Sequence, residues 1–592
     1  MAMLAAALSA LATPPAGYYL VWSDEFNGPT LDSTKWDYWL LGNRRNAVNA
    51  TNAVSLNGSN LVITTYTSNN THYTAFVATD RTFRSRYGYW ESSIKWSDSN
   101  GMWSAFWMQS PTMGTHLGDP QVSGSEIDMA EHRYVDGATN NIADQIQVNI
   151  HWNGYGSAAK SSGSGNVGRN LASGFHTCGF LWTANSCSFQ IDGSQVYDGG
   201  SSPVSHSAEW VILSSEVDDT STKWAGFIPA GGYGDLGASA AKLTVDYVRY
   251  YAPTNVLFWT GASSTSWADS ANWISNLPPA SNSDLTFSGL SGNNLTTTPG
   301  RDYSIDGLVF LNLSNGATIN GTNMLTIGAG GVDMVAANHN VTISTPVTIG
   351  AAQTWSVGPY HPGNTLNLNG SLSGTAALSK GGCGTLILNG NNSFSGALNV
   401  DTGTLLVNGS LGAAKVTVSG GTLGGNGVIN GPVTVQPGGR LAPGNPIGVL
   451  AISNSLTLGG TIFIELNKSA AANDAVRGLS NITYGGTLMV TNLGGSLAAG
   501  DSFKLFNAGS YSGSFASLSP ALPGPGLVWN TNTLATDGTL RIAAAAPPAR
   551  NNVASGPPGA PFRVFMATNL ILPLINWILA EEYGSLSPDE NH

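Results

Sequence analysis

Residues Ser123–Tyr134 read SGSEIDMAEHRY, and three of the chain's few acids, Glu126, Asp128 and Glu131, fall within six positions of one another. On a β-strand, residues two apart share a face, so Glu126 and Asp128 point the same way while Glu131, at odd spacing, points away. One extra residue in a β-bulge near Met129–Ala130 returns all three carboxyls to one side. The stretch therefore reads as a bulged strand with an acidic face. Its neighbours support this: Gly88–Trp96 (GYWESSIKW) and Lys242–Tyr251 (KLTVDYVRYY) alternate in polarity, and turn clusters at Asn57–Asn60 and Asp192–Ser194 separate such runs. Period-2 patterning with aromatic and β-branched residues, and no long window of 3.6 periodicity, predicts a large antiparallel sandwich over residues 18–252.

Composition agrees. The chain has 592 residues, a net charge of −12, only 10% charged residues and 74 glycines, which points to an all-β protein rich in turns. An acidic chain lacks the basic face a nucleic-acid binder needs. Its aromatic content is too high for charge-driven disorder. Three cysteines cannot form a disulfide framework. Cys178 and Cys187 lie on a hairpin turning near Thr183–Ser186, a register that sets Cys178 against Ile191 and disfavours a bridge. Cys383 reads as a buried structural thiol. The N-terminal MAMLAAALSALATPPAG (1–17) resembles the end of a secretory leader without its basic region. Val564–Ala580 is the most apolar late stretch, but Asn569, Pro573 and Asn576 interrupt it, so no transmembrane segment is expected.

From about Thr254 the texture changes. GTLILNG begins at Gly384, GTLLVNG at Gly403, GTLGGNG at Gly421 and GRLAPGN at Gly439, with looser echoes at Gly460 and Gly486. A unit of about 20 residues with one short strand is a β-solenoid coil, and coils must stack to bury their apolar face. This part resembles the autotransporter-associated β-strand repeat, a parallel β-helix, with FWTG from Phe258 and SANW from Ser270 as its opening. The expected organisation is a remnant leader at 1–17, a sandwich at 18–252, a solenoid at 253–545 and a Pro/Gly-rich linker with a truncated C-terminal segment at 546–592.

The acidic triplet carries the chemistry. With the bulge in place, the two Glu Cα atoms sit ~13 Å apart along the strand, and inward-leaning side chains on a concave sheet close that toward the ~5–5.5 Å of a double-displacement glycosidase. Glu126 would be the nucleophile, Glu131 the acid and then the base, and Asp128 would share a hydrogen bond with Glu126. Three close carboxylates cannot all ionise cheaply, so at least one pKa rises. Taken alone, the same motif also fits an acidic surface strand with no chemistry.

The wider pattern favours chemistry. The motif follows Tyr87–Glu91 (YGYWE) and Gly101–Met108 (GMWSAFWM) and precedes Phe175–Thr177 and Phe180–Thr183; Val21–Gly28 (VWSDEFNG) opens the region and Val245–Arg249 (VDYVR) closes it. Residues 18–252 thus resemble glycoside hydrolase family 16, in its bulged ExDxxE branch. The resemblance implies a β-jelly roll with an open cleft and retaining endo-action on a β-linked polysaccharide. It implies Glu126 as nucleophile, Asp128 as its assisting acid and Glu131 as acid/base. It places Trp103 and Trp107 in the cleft as sugar-stacking rings, and as residues four apart on a strand they should share one fate, cleft or core. It sets His151 beside the acid/base, to bind a hydroxyl or tune Glu131, against a purely structural histidine. His132 and Arg133 are candidates by adjacency only. Glu25 and Asp246 match positions that hold a structural Ca2+ in the family, or else form a salt-linked or solvated pair; no cofactor is required.

Substrate is less determined. Trp103-Ser104-Ala105 stands where β-1,3-glucan-cleaving members carry Trp-Pro-Ala. Arg44 and Arg45 could meet an anionic sugar through paired donors or be solvated loop residues. The expected substrate is β-1,3- or mixed β-1,3/1,4-glucan (laminarin or lichenan), with an agarase- or porphyranase-type β-galactan as the alternative and a non-catalytic glycan-binding surface protein as a third reading. The expected setting is a bacterial monomer, secreted or at the cell surface. Gly232–Gly237 fits GxGxxG but lacks a βαβ setting and is no nucleotide site.

Overall fold

The computed structural model describes residues 14–546, apart from 116, 172–173, 202, 220–223, 293 and 359–361, together with 561–566 and 578–585. Residues 1–13 of the leader expected at 1–17, and most of the tail beyond 546, lie outside the described residues. Within the tail, Pro561–Met566 and Ile578–Ser585 pair as antiparallel strands. Among the described residues, α-helix is confined to two four-residue turns, and no helix is long and apolar enough to cross a membrane.

Two antiparallel sheets form the sandwich. We label β1 (Gly88–Lys95), β2 (Met102–Gln109), β3 (Glu126–Arg133), β4 (Gln145–Trp152), β5 (Trp210–Val217) and β6 (Lys242–Pro253). One sheet runs Lys160–Gly168, β4, β3, β2, β5, Phe76–Ala78, Asp37–Tyr38; β1 and β6 lie side by side in the other. Period-2 alternation decides which side chains go where. On β2, Phe106 and Met108 enter the inter-sheet core, while Trp103, Ala105, Trp107 and Gln109 face the opposite side. On β5, Val211 and Leu213 enter the core, while Trp210, Ser214 and Glu216 join that opposite side. The hairpin register sets Cys178 opposite Ile191 and Cys187 opposite Trp182, as the sequence indicates, and both thiols are free and buried.

From Val256–Phe258 to Ser517–Ser519 the pairing turns parallel. Among the early strands are β7 (Tyr303–Leu311) and β8 (Leu325–Ala336). The repeat is an in-register ladder: Leu386, Leu405, Leu423 and Leu441 stack on one another, and so do Leu398, Val416, Val433 and Leu456. All eight are fully or almost fully buried in one continuous core. The repeating glycine has a reason at Gly403: φ is +65°, and a Cβ there would strike the carbonyls of Gly382 and Gly384 in the coil below. Solenoid structure therefore begins well upstream of the clear repeats, where Trp259, Trp267 and Trp273 fill the first coils in place of Leu and Val. Cys383 departs from expectation: it is exposed, because it sits in the turn between Leu378–Gly381 and Thr385–Leu388.

The sandwich core takes in a residue of the first parallel strand. Phe258, on the first parallel strand, is buried in the sandwich core against Phe83 and Tyr250. Replacing it with alanine should cost about 3–5 kcal/mol, as for other fully buried phenylalanines. Thermal unfolding followed by tryptophan fluorescence checks this, with a loss expected in the transition of the sandwich as well as that of the solenoid.

Candidate functional site: an acidic cleft on the concave sheet

The bulge lies where the sequence demands it. Along β2 and β3, Trp107 pairs with Asp128 but Phe106 pairs with Ala130, so Met129 is the extra residue. The β3–β4 register breaks at the same place, between Asp128 and Glu131. Met129 and Ala130 both sink into the core, and Glu126, Asp128 and Glu131 all reach one cleft of about 610 Å³.

Each carboxyl has its own holder. Glu131 is 6% exposed; its Oε1 accepts from Trp103 Nε1 at 2.9 Å and its Oε2 from Asn149 Nδ2 at 3.0 Å. Asp128 is 4% exposed and lies 3.1 Å from His151 Nε2. The oxygen and nitrogen ligand atoms of Glu126, Asp128 and His151 lie within 4.8 Å of one another. Glu126 accepts from the Tyr155 hydroxyl, which also lies 2.9 Å from Gln109 Oε1. Burial is the first cause that raises all three pKa values. The Glu126 charge lifts Asp128 further, and the Asp128 charge lifts Glu131. Tyr155 opposes the rise at Glu126, and Asn149 opposes it at Glu131. A trough that gathers carboxyls of different burial and different partners is suited to acid–base and nucleophilic work.

Trp103 and Trp107 share the cleft face, as their spacing requires, but differ in role. Trp103 is half-buried and bonds Glu131, while Trp107 packs against Trp39 and donates to Ser214 Oγ at 2.9 Å. His151 stands opposite Glu126 in register and contacts Asp128, so its direct partner is the middle carboxyl and not Glu131. Arg44 is ion-paired at the cleft wall. It donates to Glu216 Oε1 at 2.9 Å, Arg45 pairs with the other oxygen, and both arginines line the cleft. His132 leaves the site altogether: it is buried, stacks on Trp96 and has its pKa pulled to about 4 by burial. Arg133 turns away onto Trp224. Sequence reasoning missed Asn149, Tyr155 and Glu216. The alternation Asn149/His151 within QVNIHW is the signal that could have found the first.

Arg249 takes both Glu25 oxygens, at 2.9 and 2.7 Å, so Glu25 is ion-paired and a cation at Glu25 and Asp246 would have to compete with that guanidinium.

An antiparallel sandwich with a carboxylate trough on one sheet, joined to a parallel solenoid, defines a two-part all-β chain. The family described as "Beta-porphyranase A-D, GH16 domain" matches residues 20–253, and the passenger-associated-transport-repeat family matches residues 378–407. Residues 20–253 are a glycoside hydrolase family 16 domain. Among curated proteins, the chain is 26% identical over 240 residues to the endo-1,3-1,4-beta-glycanase ExsH of Rhizobium meliloti, covering 39% of this chain and 46% of that one. The chain thus spans less than half the length of that relative. It is 40% identical over 88 residues to the adhesin BmaC autotransporter of Brucella suis, covering 14% of this chain and 3% of that one. Among solved structures, SCLam, a non-specific endo-beta-1,3(4)-glucanase from family GH16, is 26% identical with a TM-score of 0.31, covering 41% of this chain and 93% of that one.

Asn149→Leu should move protonation of Glu131 to higher pH, because it removes a donor that favours the ionised form. Difference infrared spectroscopy of the carboxyl stretch reads that shift.

Proposed function

We propose that the chain is a retaining endo-β-glycanase acting on β-1,3- or mixed β-1,3/1,4-glucan, outside the cell or at its surface. The observation that carries this reading is the bulge at Met129, which brings Glu126, Asp128 and Glu131 into one tryptophan-lined cleft. In the first step a Glu126 oxygen attacks the anomeric carbon, the glycosidic C–O bond breaks, and Glu131 gives its proton to the departing oxygen. In the second step the Glu131 carboxylate takes a proton from water, the water oxygen attacks the same carbon, and the ester to Glu126 breaks. Two inversions leave the configuration retained.

The supporting roles follow from contacts. Burial favours the protonated form of Glu131, while Trp103 and Asn149 aim its two oxygens and stabilise the carboxylate it becomes. Asp128, held by His151, sits between the two glutamates. Trp39 and Trp103, partly exposed on the cleft wall, offer ring surface for sugars. ExsH, named for 1,3-1,4-beta-glycanase action, supports the glucan assignment. The passenger-type repeat and its likeness to the BmaC adhesin support a place outside the cell.

A sulfated β-galactan is the second reading. Two guanidinium groups line the cleft, and planar paired donors suit sulfate oxygens. The name of the matching family points the same way.

Glu126→Gln should reduce reducing-sugar release from laminarin and lichenan to background; unchanged release refutes the nucleophile. Glu131→Gln should lower kcat by about 10²–10⁴-fold, the usual share of a general acid. Release from porphyran or agarose by the parent chain, with none from laminarin or lichenan, would replace glucan by galactan. Retained glycan binding without release from any of them would leave a binding module only.

A further inference from the structure

The early solenoid coils lie against the back of the site. Val309 and Leu311 of β7 and Ala336 of β8 bury Ala208 of the sandwich in a small apolar patch. Polar contacts ring it: Arg86 forms an ion pair with Asp333, and Asn312 Nδ2 donates to the Arg81 carbonyl at 2.6 Å. At Gly289 a Cβ would stand 2.8 Å from the Thr82 carbonyl oxygen, so backbone approaches backbone. On the sandwich side these contacts fall on two short segments, 81–86 and 208.

Those segments are tied to each other and to the cleft. Ser85 and Glu209 exchange backbone hydrogen bonds of 3.0 and 2.9 Å. Glu209 is fully buried, and its Oε1 accepts from Ser125 N at 3.1 Å and Ser125 Oγ at 3.3 Å. Ser125 immediately precedes Glu126. The residue after Glu209, Trp210, lines the cleft with the Arg84 guanidinium over its ring.

We propose that the first coils of the solenoid form the outer wall of the active site, clamping segments 81–86 and 208–210 so that Glu209 fixes Ser125 and thereby the position of Glu126. Glu209 is a positioning residue in this arrangement, since it touches the strand and not the substrate. The catalytic half of the proposal rests on the glycanase reading. Attack geometry is demanding enough for a displacement of about 1 Å to cost ~10²-fold in rate, so a loosened wall shows in kcat before KM.

The test uses the full chain with Asp333→Ala for the ionic half of the clamp and Leu311→Ala for the apolar half. Asp401→Ala, which loses only a contact to Ser419 on a later coil, is the control. Hydrogen exchange is followed in segments 205–210 and 125–128, and kcat and KM are measured on laminarin. Both clamp variants should speed exchange in both segments and lower kcat by roughly tenfold at near-constant KM, while the control does neither. In Asp333→Ala/Glu209→Ala, the losses in kcat should combine to less than their product, since both act through one contact chain. Unchanged exchange in both clamp variants, or fully multiplicative losses, overturns the clamp. Exchange is read without substrate, so a parent chain inactive on every glycan removes the glycanase reading and leaves the clamp decided by exchange alone.

Discussion

A single surplus residue, Met129, governs the cleft. A regular strand would send Glu131 into the hydrophobic core and bring an apolar side chain up beside Asp128. With the bulge, two consecutive apolar residues face inward and the acids stay together. The cost is a local break in pairing to both neighbouring strands. It is tolerable because Met129 and Ala130 are buried completely, which turns the irregularity into additional core.

Electrostatics then follows from placement. Removing carboxyls from water disfavours their charged forms, and crowding three in one trough strengthens the effect. Neutral donors meet the two glutamates: the Trp103 indole N–H and the Asn149 amide hold the two Glu131 oxygens, and the Tyr155 hydroxyl donates to Glu126. At the cleft wall Glu216 pairs with both guanidinium groups.

Features set by short-range periodicity were legible in the chain. The bulge, the shared face of Trp103 and Trp107, the Cys178–Ile191 register and the ladder of coils all follow from parity or repeat length. Contacts between distant segments were not. Arg44 finds Glu216, Arg86 finds Asp333 and Tyr155 reaches Glu126 from an irregular loop, and no local pattern encodes such meetings. His151 shows the boundary between the two kinds of inference. The family pattern placed it near the acids, but its contact with Asp128 depends on the pairing of two strands that only the folded sheet fixes. Cys383 was misread because a turn inside a solenoid looks, in composition, like the strands around it.

The stacked coils have an evolutionary corollary. Each later rung contacts its neighbours alone and adds one sheet spacing of about 4.8 Å to the rod. Duplicating or deleting a rung downstream of β8 would change the stand-off between the sandwich and the far end of the solenoid in whole steps, while the rungs that touch the sandwich stay as they are. Reach is thereby set by copy number, independently of the cleft.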